Sequence, residues 1–230
     1  MHYSSDIPSG LLCRIKQNQD LVRVSIRQCN FVVRAYLPES DGRKTVEAYI
    51  HEVFRKRYGA HVVDFYPLLI TIENCQGEII AALGLRFASE HALVVEDYAH
   101  QNMSALLERN LHASGKRKNM IEVGNLASSH SGYAKFLFVA MTRILSDWHF
   151  QWLAFTAVPS VLNVFRKLKL NPVEVCDACH EDLQGSQSDW GDYYQHQPRV
   201  MLGDILSAHR YLEQQGSYQR IDFQWVEGNA

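Results

Sequence analysis

The stretch that decides the fold is NMIEVGNLASSHSGYA, residues Asn119–Ala134. It begins with a predicted buried strand over Met120–Ala127, which a loop of small residues follows at Ser128–Gly132. A helix is predicted from Tyr133, because apolar side chains then recur every three or four residues. The first N–H groups of a helix have no partner within the helix and attract anions. This segment therefore predicts a pyrophosphate site, and the alternative is an ordinary strand–turn–helix connection.

A second strand and helix follow directly. The apolar segment Gln151–Ala157 predicts a strand. The segment Val158–Pro172 then contains a predicted helix that ends near Leu170 and has Pro159 at its first position, where proline is favoured. The order of strand, loop, helix, strand and helix resembles the acyl-CoA-binding half of the GCN5-related N-acetyltransferases. That resemblance implies a mixed α/β fold in which helices flank a central mixed sheet.

The residues of the loop match that family's pyrophosphate motif, Gln/Arg-x-x-Gly-x-Gly/Ala, in part. Gly132 and Ala134 match its last two positions, whereas Ser129 stands where glutamine or arginine is expected. Asn163 begins a segment similar to a later family motif, in which Phe165 replaces a tyrosine that often protonates the departing thiolate. The resemblance implies these residues for binding acyl-CoA: Gly124, Asn125, Leu126, Ser128, Ser129, His130, Gly132, Ala134 and Asn163.

Five segments resemble the bacterial thermostable hemolysin family over roughly residues 20–215. They are FRKRYGA (Phe54–Ala60), FYPLLITIE (Phe65–Glu73), ALGLRFA (Ala82–Ala88), EVGNLA (Glu122–Ala127) and WGDYYQHQPRV (Trp190–Val200). That family is itself similar to the acyl-homoserine-lactone synthases, in which a Trp-Glu-Leu-Ser-Arg-Phe strand occupies the place of Ile121–Leu126. Glu122 aligns with the glutamate of that strand, but Asn125 replaces its arginine, so lactone synthesis is not implied.

Acyl transfer from a thioester needs a polarised carbonyl group and a neutral nucleophile. Glu122 is the first candidate for the base, because a carboxylate in an apolar strand is costly unless it is paired or protonated. The alternative is that Glu122 pairs structurally with Arg86 or another basic residue. Arg86 could hold a substrate carboxylate or an internal partner. Glu96 and Asp97 are the second acidic candidates, and a plain position at a strand end is their alternative.

A glycine inside a strand, here Gly124, predicts a bulge or a close approach of another group. In the resembling fold a bulge at this point separates two strands, so that the backbone of Gly124–Leu126 can pair with the pantetheine arm as an added strand would. His130 is expected to be a phosphate neighbour or an exposed residue. Tyr193 and Tyr194 are candidates for the missing acid.

Composition limits the class of protein. A chain of 230 residues that is 47% hydrophobic predicts a single domain over 1–230, with its core at about 20–215 and a flexible N-terminus. A net charge of −2 argues against nucleic acid as a partner. We expect a cytoplasmic protein without stable membrane insertion, because no apolar run reaches about 18 residues and the start lacks the pattern of a secretory signal.

Basic and cysteine-containing segments remain open to more than one interpretation. Lys116–Lys118 and Arg166–Lys169 are either solvated or meet a nucleotide phosphate or an acidic carrier protein. Cys176–His180 matches the pattern C-x-x-C-H. Covalent haem attachment needs an exported chain, so we interpret the match as a coincidence, with adventitious metal binding or redox behaviour as the alternative. No metal cofactor is predicted.

Hydrophobic periodicity and turn residues predict the remaining elements. The predicted strands are Phe31–Tyr36, Leu68–Asn74, Glu78–Phe87, Ala92–Val95, Val173–Cys176, Val200–Leu202 and Arg220–Val226. The predicted helices run from Ser40 or Asp41 to Tyr58, over 103–112 and over Gly203–Glu213, and Gly185–Gln197 is predicted to be a polar loop.

Together these observations predict an acyltransferase that uses an acyl-CoA or acyl-carrier-protein thioester. The acceptor is expected to be a small amine or an amino-acid-like molecule, and the acyl chain to be of medium or long length. The rival hypotheses are a membrane-active hemolysin and a catalytically idle thioester-binding module. The oligomeric state is not predicted.

Overall fold

The computed structural model describes residues 7–17, 19–26, 29–183 and 185–226. Nine strands in these ranges form one sheet: β1 Asp20–Ile26, β2 Cys29–Tyr36, β3 Leu68–Asn74, β4 Ile79–Phe87, β5 Met120–Ser128, β6 Trp152–Ala157, β7 Val173–Asp177, β8 Arg199–Asp204 and β9 Phe223–Trp225. The same ranges contain seven α-helices: α1 Ser9–Gln17, α2 Arg43–Tyr58, α3 Val94–Ala99, α4 Met103–Leu111, α5 Ser131–Asp147, α6 Pro159–Leu168 and α7 Ile205–Gln214.

The strand order in the sheet is β7-β8-β6-β5-β4-β3-β2-β1-β9. Neighbouring strands are antiparallel except for β5 and β6, which run parallel and are joined by α5. Successive residues of β5 face opposite layers, as strand geometry requires. Ile121 packs in the core that includes α5 and α7, whereas Met120 packs in the core that includes α3 and α4. The predicted mixed α/β sheet flanked by helices is therefore confirmed.

The predicted strand at Ala92–Val95 is wrong, because residues Val94–Ala99 form α3. Two adjacent valines favour a strand, but their tertiary contacts favour a helix start. The N–H group of Leu93 donates to the Glu96 carboxylate, while the N–H groups of Val94 and Val95 donate to Glu122, 28 and 27 residues further along the chain. These acceptors satisfy donors that a helix start leaves without partners.

Other boundaries differ by a few residues. Helix α5 begins at Ser131 rather than at Tyr133, so Gly132 lies in its first turn. Helix α2 begins at Arg43, after Gly42 in a left-handed conformation. The sequence did not predict α1, whose Ile15 is fully buried in the main core. The predicted flexible N-terminus includes residues 1–6, which lie outside the described residues.

Candidate active site

Strands β5 and β6 separate in the middle of the sheet. They pair only from Met120–Trp152 to Val123–Phe155, whereas β6 stays paired with β8 up to Ala157. Strand β5 is bulged at this point, because the register with β4 shifts between the Gly84–Gly124 and Ala82–Ala127 pairs. The predicted bulge is confirmed, and beyond Val123 the β6 side of β5 has no strand partner among the described residues.

The bulge contains Asn125, whose φ of +48° lies in the left-handed region that asparagine tolerates better than most residues do. Its side chain holds a neighbouring segment. Asn125 Oδ1 accepts a hydrogen bond from the N–H group of Tyr66 at 2.9 Å, and Asn125 Nδ2 donates to the carbonyl of Asp64 at 3.1 Å. Since both ends of this amide bind protein, the predicted role of Asn125 in binding acyl-CoA is left to its backbone.

A cavity of about 570 Å³ lies where the two strands separate. Its polar part contains an arginine, a carboxylate and several phenols, contributed by Tyr66, Arg86, Asp97, Tyr98 and Tyr193. Its apolar part lies under α5, α6 and α7 and is lined by residues such as Phe138, Met141, Leu153, Phe155 and Phe165. The cavity thus joins a polar chamber in the α3 layer to an apolar chamber in the α5 layer, through the gap in the sheet.

Tyr66, which the sequence analysis missed, is the central side chain of the polar chamber. Its ring lies against Gly84 and Gly124, which face each other on β4 and β5. A Cβ atom on Gly124 would lie 2.6 Å from Tyr66 Cζ, and one on Gly84 would lie 2.7 Å from Tyr66 Cβ. The close approach predicted at Gly124 is therefore that of an aromatic ring. Two glycines in neighbouring apolar strands were the available sequence signal.

The backbone of Tyr66 is held at both of its polar groups. Beside the bond from its N–H group to Asn125, its carbonyl accepts from Arg43 Nη2 at 2.8 Å. Arg43 is buried and also donates to the carbonyls of Tyr36 and Pro67. Charge-assisted hydrogen bonds of this kind are stronger than neutral ones. They fix the segment from which the Tyr66 ring projects over the two glycines.

Glu122 lies next to this chamber and is only 1% exposed. Its Oε2 and Oε1 atoms accept the N–H groups of Val94 and Val95 at 2.7 and 3.1 Å. Burial raises the pKa of this carboxyl group to about 7, against the opposing effects of the Arg86 charge and of the hydrogen bonds. Tyr66, Arg86 and Val94 line the cavity, but Glu122 is not among the lining residues.

Arg86 is the cross-strand neighbour of Glu122, but the two side chains form no ion pair in the described part of the chain. The guanidinium carbon of Arg86 lies 5.1 Å from the centre of the Tyr66 ring. Its Nε atom is buried without a hydrogen-bond partner among the described residues. Arg86 and Glu122 therefore interact electrostatically without forming the predicted structural pair. Arg86 presents its positive charge to the chamber.

The phenols around the chamber all have pKa values above the ordinary 10. Burial raises the pKa of Tyr66 well above that value, and the neighbouring Glu122 carboxylate raises it again. Burial also raises the pKa of Tyr193, which lines the cavity. Tyr194 does not line it and shares a 2.6 Å hydrogen bond with the hydroxyl of Tyr98. These hydroxyls are therefore protonated and can donate hydrogen bonds at neutral pH.

Of the second acidic candidates, Glu96 is engaged in structural contacts. It accepts the N–H groups of Leu93 and Met103, and it pairs with Arg117 at 2.6 Å. Although burial opposes them, these interactions lower the pKa of Glu96. Glu96 does not line the cavity, whereas Asp97 does. Neither residue ends a strand, since both belong to α3.

The predicted pyrophosphate residues lie at the end of β5, outside the cavity lining. Ser128 Oγ donates to the carbonyl of the exposed His130, and Ser129 Oγ donates to the carbonyl of Ile80. A Cβ atom on Gly132 would meet nothing within 4 Å, so the first turn of α5 is open at this point. Ala134 is buried, and Asn163 is exposed on α6, where it accepts a hydrogen bond from Arg166.

Phe165, which replaces the family's tyrosine, is part of an aromatic stack in the apolar chamber. Its ring centre lies 4.8 Å from that of Phe155 and 4.7 Å from that of Phe138. Leu126 also lines the cavity, at the point where β5 leaves it towards α5. Phe165 supplies no acid, whereas the phenols of Tyr66, Tyr98 and Tyr193 line the opposite, polar chamber.

The described ranges contain no candidate metal site and no candidate membrane-spanning helix. No group of three or more His, Cys, Asp or Glu side chains in these ranges could hold a metal ion. Cys176 of the C-x-x-C-H segment donates to the carbonyl of Tyr98 at 3.8 Å, and Cys179 is exposed. In the same ranges, no helix has the length and apolarity to cross a membrane.

Several solved structures share this fold at low sequence identity. The apo form of TofI is 14% identical with a TM-score of 0.54, covering 77% of this chain and 95% of that one. FeeM, an N-acyl amino acid synthase from uncultured soil microbes, is 12% identical with a TM-score of 0.54, covering 78% and 93%. The AHL synthase LasI is 12% identical with a TM-score of 0.53, covering 76% and 90%.

Among curated proteins no sequence matches this chain. The family model described as "Thermostable hemolysin", in contrast, matches residues 36–209, which is well over half of the chain. The matched range contains β4, β5, β6 and the whole polar chamber. The chain therefore belongs to the thermostable hemolysin family.

Proposed function

We propose that this protein is an acyltransferase that moves an acyl group from an acyl-CoA or acyl-carrier-protein thioester to the amine of a small, amino-acid-like acceptor. The observation that carries the proposal is the cavity that joins an apolar and a polar chamber through the gap between β5 and β6. Such a cavity suits a reaction that brings a hydrophobic donor and a polar acceptor together. FeeM and LasI, whose names state N-acyl amino acid and AHL synthesis, share the fold that contains it.

The donor would lie along β5. The unpaired edge of Gly124–Leu126 offers backbone groups that can bind the pantetheine arm as a strand would. An N–H group of this edge would polarise the thioester carbonyl. The open first turn of α5 around Gly132 would receive the pyrophosphate, with the helix dipole behind it. The apolar chamber, with its Phe138–Phe165–Phe155 stack, would hold the acyl chain.

The acceptor would occupy the polar chamber. Arg86 would bind its carboxylate, since this guanidinium lines the cavity without a hydrogen-bond partner from the described protein. The neutral amine attacks the thioester carbon, so that a C–N bond forms and the C–S bond breaks. The amine proton passes through the Tyr66 hydroxyl to Glu122, and Glu122 then returns it through water to the departing thiolate, so that a thiol leaves and the carboxylate is restored. Asp97, which lines the same chamber, is the second candidate for the base.

The experiment is to incubate purified protein with acyl-CoA donors and amino acids and to analyse products by mass spectrometry. We expect an N-acyl amino acid, and we expect Glu122→Gln to lower turnover by about 10²-fold or more while acyl-CoA still raises the melting temperature. A melting shift without any product in the wild-type protein would instead support an idle thioester-binding module. If the wild-type protein shows no melting shift and forms no product, the proposal is rejected for CoA donors.

Arg86→Met tests the acceptor. Losing a hydrogen-bonded charge partner costs about 1.5–3 kcal/mol, so the KM for an amino acid should rise about 10- to 100-fold. Amines without a carboxylate should keep their KM, which makes them the matched control.

Gly132→Val tests the donor site: a side chain there meets no protein atom, so the fold should persist while the melting shift caused by acyl-CoA is lost. Equal shifts in both proteins would contradict the α5 assignment.

A further inference from the structure

Gly203 is a glycine without a structural reason to be one. It lies inside β8, opposite Leu153 of β6, and it lines the cavity. Its φ is not in the left-handed region. A Cβ atom built on it would meet only Leu153 Cβ, at the ordinary contact distance of 3.9 Å. In contrast, Gly84 and Gly124 leave no room for a Cβ atom because Tyr66 covers them.

A glycine inside a strand weakens the strand and supplies no packing, so its presence needs another explanation. At Gly203 neither the backbone conformation nor a neighbouring group among the described residues excludes a side chain. What the glycine provides is empty volume in the cavity wall.

The surroundings of this volume are mainly apolar. Leu145, Ile205, Ala208 and Tyr211 line the cavity from α5 and α7. The polar residues Asp204 and Ser207 also line it, and the Ser207 hydroxyl and N–H group donate hydrogen bonds to the Asp204 carboxylate. Leu153 lies two residues before Phe155, the last residue of β6 that pairs with β5, and therefore about 7 Å from the gap in the sheet. The volume at Gly203 thus lies at the end of the apolar chamber that is remote from the polar one, and its chemistry fits a hydrocarbon chain.

We propose that Gly203 determines the length of the acyl chain that the protein accepts. The missing side chain leaves space for the last carbons of a long chain, and a larger residue at this position would exclude them. This inference rests on the proposed function, because it takes the hydrocarbon in the cavity to be the acyl chain of a thioester donor. The position of Gly203 and the space around it are independent of that identity.

The experiment measures the affinity of saturated acyl-CoAs from C4 to C16 by calorimetry, for the wild-type protein and for Gly203→Ala and Gly203→Leu. In the wild type, each added methylene should tighten binding by up to about fourfold until the chamber is full. The four carbons of leucine displace about four chain carbons, so the Gly203→Leu series should level off about four carbons earlier. The affinity of Gly203→Leu for the longest acyl-CoAs should be lower than that of the wild type by more than about 50-fold, whereas the affinity for the C4 acyl-CoA should not change.

Gly10→Leu is the matched control, because it adds the same side chain at an exposed position of α1 where a Cβ atom meets nothing within 4 Å. It should leave the whole series unchanged. Circular dichroism and melting curves verify that the variants fold. Gly203→Ala needs the least space and serves as the test if the leucine variant does not fold. Its affinity series should level off about one carbon earlier than that of the wild type.

The outcomes separate the two proposals. A wild-type series that climbs with chain length, but is identical in all Gly203 variants, would overturn the role of Gly203 and leave the acyltransferase proposal standing. A wild-type protein that binds no acyl-CoA of any length would overturn the proposed function with these donors, and the inference with it.

Discussion

Replacing Glu122 by glutamine should change how the stability of this protein depends on pH. The carboxyl group has a pKa of about 7 in the folded chain, against an ordinary value of 4.5. A raised carboxyl pKa means that the folded state binds more protons than the unfolded state between these two values, so stability falls as the pH rises from 4.5 to 7. At 1.36 kcal/mol for each pKa unit, the loss is about 3 kcal/mol.

Glutamine has no charge to bury, so Glu122→Gln removes this loss. Its amide accepts only one of the N–H groups of Val94 and Val95, and that cost of about 1 kcal/mol does not depend on pH. The free energy of unfolding of the variant, relative to the wild type, should therefore rise by about 3 kcal/mol between pH 4.5 and pH 8.

Urea unfolding of both proteins across this range measures that relative stability and cancels the contribution of all other groups. Glu52→Gln is the control, because hydrogen bonds from Arg55 and Lys56 hold the pKa of the exposed Glu52 at about 2, below the window. Its stability relative to the wild type should not vary with pH. A constant difference between Glu122→Gln and the wild type would refute the argument that burial raises this pKa.

Three further substitutions test how the polar chamber is built, each by urea unfolding. Gly124→Ala places a Cβ atom 2.6 Å from Tyr66 Cζ, so displacement of the ring should lower the free energy of unfolding by about 1–3 kcal/mol; unchanged stability would mean that the ring does not lie there. Asn125→Gly permits the positive φ but removes the bonds to Tyr66 and Asp64, a loss of about 2 kcal/mol, which an equally stable variant would contradict. Arg43→Met removes a charged donor to three carbonyls and should cost about 3 kcal/mol or more, whereas a loss below 1 kcal/mol would show that water replaces it.

Local patterns in the sequence were enough to predict the elements that frame the site. The apolar run of β5, the small residues after it and the helical spacing of α5 depend on neighbours within a few residues, so they can be identified without the fold. Pro159 at the first position of α6 is of the same kind. A glycine inside an apolar strand also indicated the irregularity of β5 before its register was known.

The tertiary structure alone decided the chemistry of the chamber, because its contacts join residues that are far apart in the chain. Tyr66 meets Asn125 across 59 positions, and Glu122 determines that Val94 and Val95 begin a helix rather than a strand. The pKa of Glu122 depends on its burial by the layer that contains α3. The empty volume at Gly203 depends on how β6 and α7 pack around it. Burial and empty volume are properties of packed layers, and periodicity along one segment carries no information about them.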